Sequence, residues 1–410
     1  MIRQPHVKDT GVTRKTILQK GQGRTRKLAK LAYVYEKESR YFAQVAETAK
    51  KMAGQELLEL GAKDLSFVFR GIWFSASKSD FYKITYQSRL LSRVLVPLAT
   101  FACKDKDDLY KAAKKIRWEE LMTSKQTFSI AANVSESSIT HSNFAGLRVK
   151  DAIADYFRDR TNRRPNVDPK DPYLMINLHI HQDMATLSVD ASAGPLYRRG
   201  YREASVSAPM QETVAAAIIR MSGWDGTMPL YDPMCGSGTL LAEALMAYCR
   251  IPAQVFRTRF GFELLPDFDP QVWQDVQMAA EQAIRPLPPG LIAGSDIAEP
   301  AVNAAKTNLM GIHYGGNVTV EQKDFRQITG MENTLIVTNP PYGIRMGKDR
   351  DLKEFYRDLG CFLRDRCRRC TALVYFGEPK YIKHVPLAPL WKEPLKIGGL
   401  DGKLVKYELY

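Results

Sequence analysis

From residue 209 onward, strand-like and helix-like segments alternate, and this alternation is the strongest constraint on the fold. Short apolar runs at 228–232, 291–296, 318–322, 335–338 and 372–376 are separated by stretches of helical spacing. Strands joined by helices pair in parallel, so the expected architecture is α/β, a doubly wound sheet covered by helices on both faces. Residues 250–290 read as an irregular Phe/Pro-rich insertion between the first two units. Residues 396–410, turning at Gly398-Gly399-Leu400-Asp401-Gly402, read as a closing antiparallel hairpin.

Between the first strand and its helix lies Asp232-Pro233-Met234-Cys235-Gly236-Ser237-Gly238-Thr239. Glycines let a backbone pass close to a ligand, and the start of the next helix offers free N–H groups to an anion. Asp296 closes the next strand, 64 residues on, where a carboxylate can accept from both hydroxyls of a ribose. That spacing is far longer than the ~20 residues of a dinucleotide fingerprint, and no third glycine completes one, so a nicotinamide cofactor fits poorly. A nucleoside fits better.

After the fourth strand comes Asn339-Pro340-Pro341-Tyr342-Gly343. Two prolines stiffen the backbone, so the Asn339 side chain and the Pro340 carbonyl can both act as acceptors toward one small donor. Tyr342 adds a stacking face. An exocyclic amine on a planar base has those needs: acceptors for two hydrogens and a π surface for the ring. The place is also where open α/β sheets bind ligands, at the carboxyl ends of the strands.

The first 200 residues have a different character. Residues 1–40 hold eleven Lys/Arg and three Asp/Glu, a large part of the chain's net charge of +14, and 10–30 lacks an apolar period. This segment is expected to be a flexible basic arm attracted to phosphates. A small α+β unit should follow: a strand at 41–46, a helix to Gly61, a strand at 65–74, a helix over 81–98, a helix at 109–117, a strand at 127–134, a helix at 147–157 and a hairpin at 175–181 and 186–189. Leu196–Arg202 is a basic, glycine-punctuated connection in which Arg198, Arg199 and Arg202 are candidates for gripping RNA.

Together these motifs resemble the class I S-adenosylmethionine-dependent methyltransferases that act on amines through Asn-Pro-Pro-Tyr. Residues 41–195 resemble the ferredoxin-like piece plus THUMP domain of RNA-modifying enzymes. Tyr86-Gln-Ser-Arg-Leu-Leu-Ser-Arg-Val, Val149-Lys-Asp-Ala-Ile-Ala-Asp-Tyr-Phe and Arg199-Gly-Tyr-Arg are similar to the bacterial large-subunit ribosomal RNA guanine 2-amino methyltransferases. The resemblance implies a Rossmann-like methyltransferase domain at 209–410, a linker at 197–208, a THUMP domain at 99–196 and a ferredoxin-like piece at 41–98, with the arm outside it. It implies S-adenosylmethionine as cofactor, held by Asp232, Pro233, Gly236, Gly238 and Thr239, by Asp296 and Ile297 near the ribose, and by Asp324 and Phe325 near the adenine. It assigns Asn339, Pro340, Pro341 and Tyr342 to catalysis, and a guanine 2-amino group of large-subunit (23S) rRNA as the acceptor. Some members carry a second methyltransferase; one Asn-Pro-Pro-Tyr here implies the 2-amino activity alone.

Three other readings remain open at this level: a tRNA guanine methyltransferase, a DNA adenine methyltransferase, and a non-catalytic RNA-binding assembly factor. No metal is expected. His179 and His181 sit two apart without a third ligand, and Cys367-Arg-Arg-Cys370 lacks a partner pair. No run of about 18 apolar residues could span a bilayer, and 1–30 is too polar for a secretory signal. The six unpatterned cysteines are consistent with a reducing, cytoplasmic setting.

Overall fold

The structure, a computed structural model, describes residues 32–204, 210–341, 349–397 and 400–410. Most of the basic arm therefore lies outside the described residues, but its end is folded. Helix α1 (Val34–Glu38) precedes β1 (Arg40–Gln44), Tyr33 and Tyr35 are buried, and the Tyr35 hydroxyl donates to Asp267 Oδ1 at 2.8 Å. Two aromatic rings outweigh the charge that dominates the segment's average.

Next come α2 (Lys50–Glu59), β2 (Lys63–Val68) and β3 (Gly71–Ser75). The single strand expected over 65–74 is a hairpin, because Phe69 and Arg70 turn the chain and Arg70 takes a left-handed φ of 56°. Ser77 caps α3 (Lys78–Gln87), and the helix expected over 81–98 gives way to β4 (Arg93–Ala102). Residues 94–98 are all buried, and a continuous apolar run has no period that separates strand from helix.

The module is completed by α4 (Lys106–Lys114), β5 (Phe128–Ser135), α5 (Ser142–Thr161), β6 (Leu174–His181) and β7 (Met184–Asp190). Its sheet has the order β2-β3-β1-β4-β7-β6-β5, with β5 and β6 parallel and the other neighbours antiparallel. Because β4 runs through residue 98, the residues on either side of that point share one sheet.

The second half starts with α6 (Glu212–Ser222), β8 (Leu230–Asp232) and α7 (Thr239–Tyr248). The stretch expected to be an irregular insertion contains the 13-residue helix α8 (Pro270–Gln282), capped by Asp269. Its aromatic content has a packing purpose: Phe262 stacks on Tyr82 of α3 at 4.6 Å, and Trp273 meets Tyr82 and Tyr86 edge-on. The insertion is therefore part of the seam with the first module.

Then follow β9 (Ile292–Asp296), α9 (Glu299–Met310), β10 (Thr319–Gln322), β11 (Met331–Glu332), β12 (Leu335–Thr338), α10 (Asp349–Arg366), β13 (Cys367–Arg368), β14 (Cys370–Phe376), β15 (Trp391–Ile397) and β16 (Leu400–Leu409). Strands β11 and β13 form a separate parallel pair. The main sheet has the order β10-β9-β8-β12-β14-β16-β15, parallel from β10 to β14 and closed by the antiparallel β16 and β15.

The chain leaves β8 toward β9 and β10 on one side and returns to β12 on the other. The order thus reverses between β8 and β12, and a crevice opens there at the carboxyl ends.

Candidate active site

The crevice is flanked by the Asp232–Thr239 segment on one side and Asn339 on the other. Its floor is tightly packed. A Cβ on Gly294 would stand 2.9 Å from the Asp232 carbonyl oxygen, so only glycine lets β9 pass under the turn. Gly236 and Gly238 have φ of 54° and 80°, the left-handed region that glycine enters freely. Among the described residues nothing lies within 4 Å of where a Gly236 Cβ would be, so they leave that side of the turn open to a ligand. Gly238 is the N-cap of α7 and brings no side chain to the helix's free N–H groups.

Asp296 closes this end of the sheet. Its Oδ2 accepts the Gly236 N–H and its Oδ1 the Ala298 N–H, both at 2.9 Å. Each oxygen keeps a lone pair for a ribose hydroxyl. Ile297, 65 % exposed, stands just beyond it.

Asp232 is only 1 % exposed, and Pro233 is also buried. Burial pushes the Asp232 carboxyl up to about 7; the Met234 N–H and the Thr338 hydroxyl oppose the shift, and the Asp296 charge adds to it.

The third motif departs from expectation. Phe325 is 3 % exposed, its ring edge-on to Phe355 and Phe362 in the core beneath α10, so it has no face to offer an adenine. Asp324 caps the short helix Phe325–Gln327 through the Arg326 N–H and pairs with the Arg326 guanidinium. The Phe325 ring is a core anchor, so the adenine contact that the resemblance implies at this position would fall to its backbone.

On the other wall, the Asn339 Oδ1 is buried and has no hydrogen-bond partner among the described residues. A dry carbonyl oxygen costs roughly 1–3 kcal/mol unless something comes to donate to it. Pro340 is buried and Pro341 half-buried. Tyr342 lies outside the described residues.

The arginines proposed for RNA do something else. Arg199 is buried against Glu243 of α7, and Arg202 is half-buried against Glu212, Ser237 and Thr239. Of the three, Arg198 alone is exposed. Glu212, Ser237, Glu243 and Asn308 were not singled out in the sequence. The one available signal was Asn308, a polar residue on the apolar stripe Ala301, Ala304, Ala305 and Leu309.

His179 and His181 stack at 6.3 Å on an exposed strand face. Lys150 pairs with Asp151 at 3.1 Å. Cys367 and Cys370 are buried, and burial raises both thiols. Among the described residues, no group of three or more His, Cys, Asp or Glu forms a cation site, and no helix is long and apolar enough to cross a membrane.

Comparison with known proteins identifies the family and the fold. Residues 199–405 match the RMKL-like methyltransferase domain family and residues 103–190 the THUMP domain. A Synechocystis sp. protein named, provisionally, an RNA methyltransferase is 39 % identical over 371 residues, 90 % of this chain and 97 % of that one. The ribosomal RNA large subunit methyltransferase K/L of Syntrophotalea carbinolica is 36 % identical over 90 % of this chain but 53 % of its own length. The chain thus spans about half the length of the K/L relatives it matches. The crystal structure of a possible methylase from Clostridium difficile 630 superposes with a TM-score of 0.79 at 26 % identity, covering 90 % of this chain and 98 % of that one. SMU.472, crystallised with S-adenosylhomocysteine (SAH), shares the fold with a TM-score of 0.79 at 24 % identity, over 90 % of this chain and 98 % of its own. By the match of its second half and by its likeness to a relative of nearly the same length, the chain belongs to the RMKL-like methyltransferase family and carries a THUMP domain ahead of its methyltransferase domain.

Proposed function

We propose that the chain transfers the methyl group of S-adenosylmethionine to the exocyclic 2-amino group of a guanine in large-subunit ribosomal RNA. The observation that carries this reading is the buried Asn339 Oδ1, without a hydrogen-bond partner among the described residues, just past the carboxyl end of β12, the strand paired with β8 and its glycine turn. The K/L names of relatives support the RNA class, and the family resemblance supports the base.

The open side of Gly236, the uncapped start of α7 and the two lone pairs left on Asp296 fit a nucleoside joined to an amino acid. When bound, S-adenosylmethionine supplies a methyl group on a positively charged sulfur. The chain's own residues handle the acceptor. Asn339 Oδ1 and the Pro340 carbonyl accept the two amine hydrogens and turn the nitrogen lone pair toward the methyl, and Tyr342 stacks on the base. As the new C–N bond forms and the C–S bond breaks, positive charge grows on nitrogen. The two acceptors offset it before a proton passes to water, so no strong base is needed.

The reading includes Asp232, Pro233, Gly236, Gly238, Thr239, Asp296 and Ile297 as donor-binding positions. It keeps Asp324 and the Phe325 backbone near the adenine, with the Phe325 ring in the core. The first module, with the basic arm, would grip structured RNA by shape and phosphate contacts.

The test is methyl transfer in vitro to protein-free large-subunit rRNA, small-subunit rRNA and tRNA, with mass spectrometry of the product nucleosides. N2-methylguanosine in large-subunit rRNA is the expected product. Methylation confined to tRNA, or found on adenine, would overturn the assignment.

A further inference from the structure

Arg202 reaches the methyl-donor turn from behind. Its Nη1 donates to Ser237 Oγ at 3.2 Å and its Nη2 to Thr239 Oγ1 at 3.1 Å, so one planar fork spans the two hydroxyls that flank Gly238. Its Nε and Nη2 also hold Glu212 Oε1 at 3.2 and 3.0 Å, and Nη2 reaches the Met210 carbonyl at 3.2 Å. The side chain therefore ties the start of α6 to the start of α7.

The segment bearing Arg202 is itself latched. Asn308 Oδ1 accepts the N–H groups of Glu203 and Ala204, both at 2.9 Å. Asn308 Nδ2 donates to the carbonyls of Ala204 at 2.9 Å and Ser237 at 3.0 Å. Ser237 is thus gripped by Asn308 through its backbone and by Arg202 through its hydroxyl. On the far side, a Cβ on Gly238 would meet Ala305 Cβ at 3.1 Å, so α9 backs the turn closely.

We propose that Arg202 is a positioning residue for the methyl donor: it sets the Gly236–Thr239 turn in its binding geometry and makes no contact with RNA. This rests on the reading of that turn as the donor site. The physical reason is preorganisation. The turn binds through backbone N–H groups whose directions depend on two left-handed glycines, and glycine segments lose the most freedom on ordering. Holding the turn before the donor arrives removes that cost from binding. An arginine suits the task because its rigid fork reaches two acceptors at once and it can only donate.

The test uses the full chain and four proteins: parent, Arg202→Lys, Thr239→Val and the double variant. Lysine retains a charge for the buried Glu212 and loses the fork. S-adenosylhomocysteine affinity is read by calorimetry, and affinity for protein-free large-subunit rRNA by filter binding without donor. Arg202→Lys should weaken S-adenosylhomocysteine about tenfold, raise the donor KM and leave kcat at saturating donor and RNA affinity near the parent's. The double variant should lose less than the sum of the two single variants, because the Arg202–Thr239 contact is removed in both. Additive losses, or RNA affinity that falls while S-adenosylhomocysteine affinity holds, would overturn the proposal. A parent protein that binds neither S-adenosylhomocysteine nor S-adenosylmethionine would instead overturn the donor-site reading.

Discussion

Asp296 accepts the Gly236 N–H at 2.9 Å, joining the end of β9 to the turn after β8 across 60 residues of chain. The same carboxylate fixes the Ala298 N–H, and so the entry to α9. One side chain thus shapes the turn while keeping lone pairs for a ligand.

Replacing Asp296 with alanine removes both effects. A hydrogen bond to a charged group contributes roughly 1.5–3 kcal/mol, so S-adenosylhomocysteine should bind at least about tenfold more weakly. Asp296→Asn retains one carbonyl acceptor and should fall between parent and alanine. Calorimetry showing parent-like affinity in a folded Asp296→Ala protein would remove Asp296 from the site.

Asn339→Ala should separate chemistry from stability. Its Oδ1 has no partner among the described residues, so losing it relieves a desolvated acceptor, and the variant should melt no lower than the parent. Turnover should drop by about a hundredfold or more with donor affinity nearly unchanged, because the acceptor matters most as charge develops. A large fall in melting temperature with turnover preserved would make Asn339 a structural residue.

The Asp232 carboxyl, raised from the ordinary 3.8 to about 7, sets a pH dependence with a definite sign. The folded protein holds this proton over a range in which the unfolded chain has lost it. The stability it contributes is full below about pH 4, falls as pH rises toward 7 and is flat beyond, with a slope of about 1.4 kcal/mol per pH unit inside the window. Asp232→Asn should abolish that slope in denaturant titrations. A cationic donor favours the ionised form, so donor affinity should rise with pH up to about 7. Equal slopes in parent and variant between pH 4 and 7 would show that Asp232 does not titrate there.

Much of the site was legible because its residue types are forced. Gly236 and Gly238 must take positive φ, Asp232 and Asp296 end buried parallel strands, and β12 has the bounds that four consecutive apolar or β-branched residues suggest. The misreadings share another cause. The run Val94–Leu98, the ring of Phe325 and the aromatics at Tyr33 and Tyr35 are decided by what packs on them from distant parts of the chain. Arg199 and Arg202 were read as phosphate ligands because a basic cluster has no visible partner in sequence. Glu243 and Glu212 meet them only after α7 and α6 have docked.

The Arg199–Glu243 pair supplies the last prediction. Both side chains have 0 % exposure, and Arg199 also donates to the carbonyls of Leu196 at 2.8 Å and of Arg89, in the first module, at 2.5 Å. Removing one partner strands the other charge in a dry seam, so Glu243→Ala should cost about 3–5 kcal/mol in denaturant unfolding. Tyr201, whose hydroxyl donates to Glu243 Oε1 at 3.5 Å, loses its acceptor in the same variant. The apolar double replacement Arg199→Met with Glu243→Leu should recover part of that loss, since neither charge then remains. Recovery should stop short of the parent, because the Arg89 carbonyl loses the Arg199 donor and the Leu196 carbonyl is left with Gln254 Nε2 alone. A single Glu243→Ala that unfolds like the parent would show that solvent reaches the pair and that the seam between the modules opens in solution.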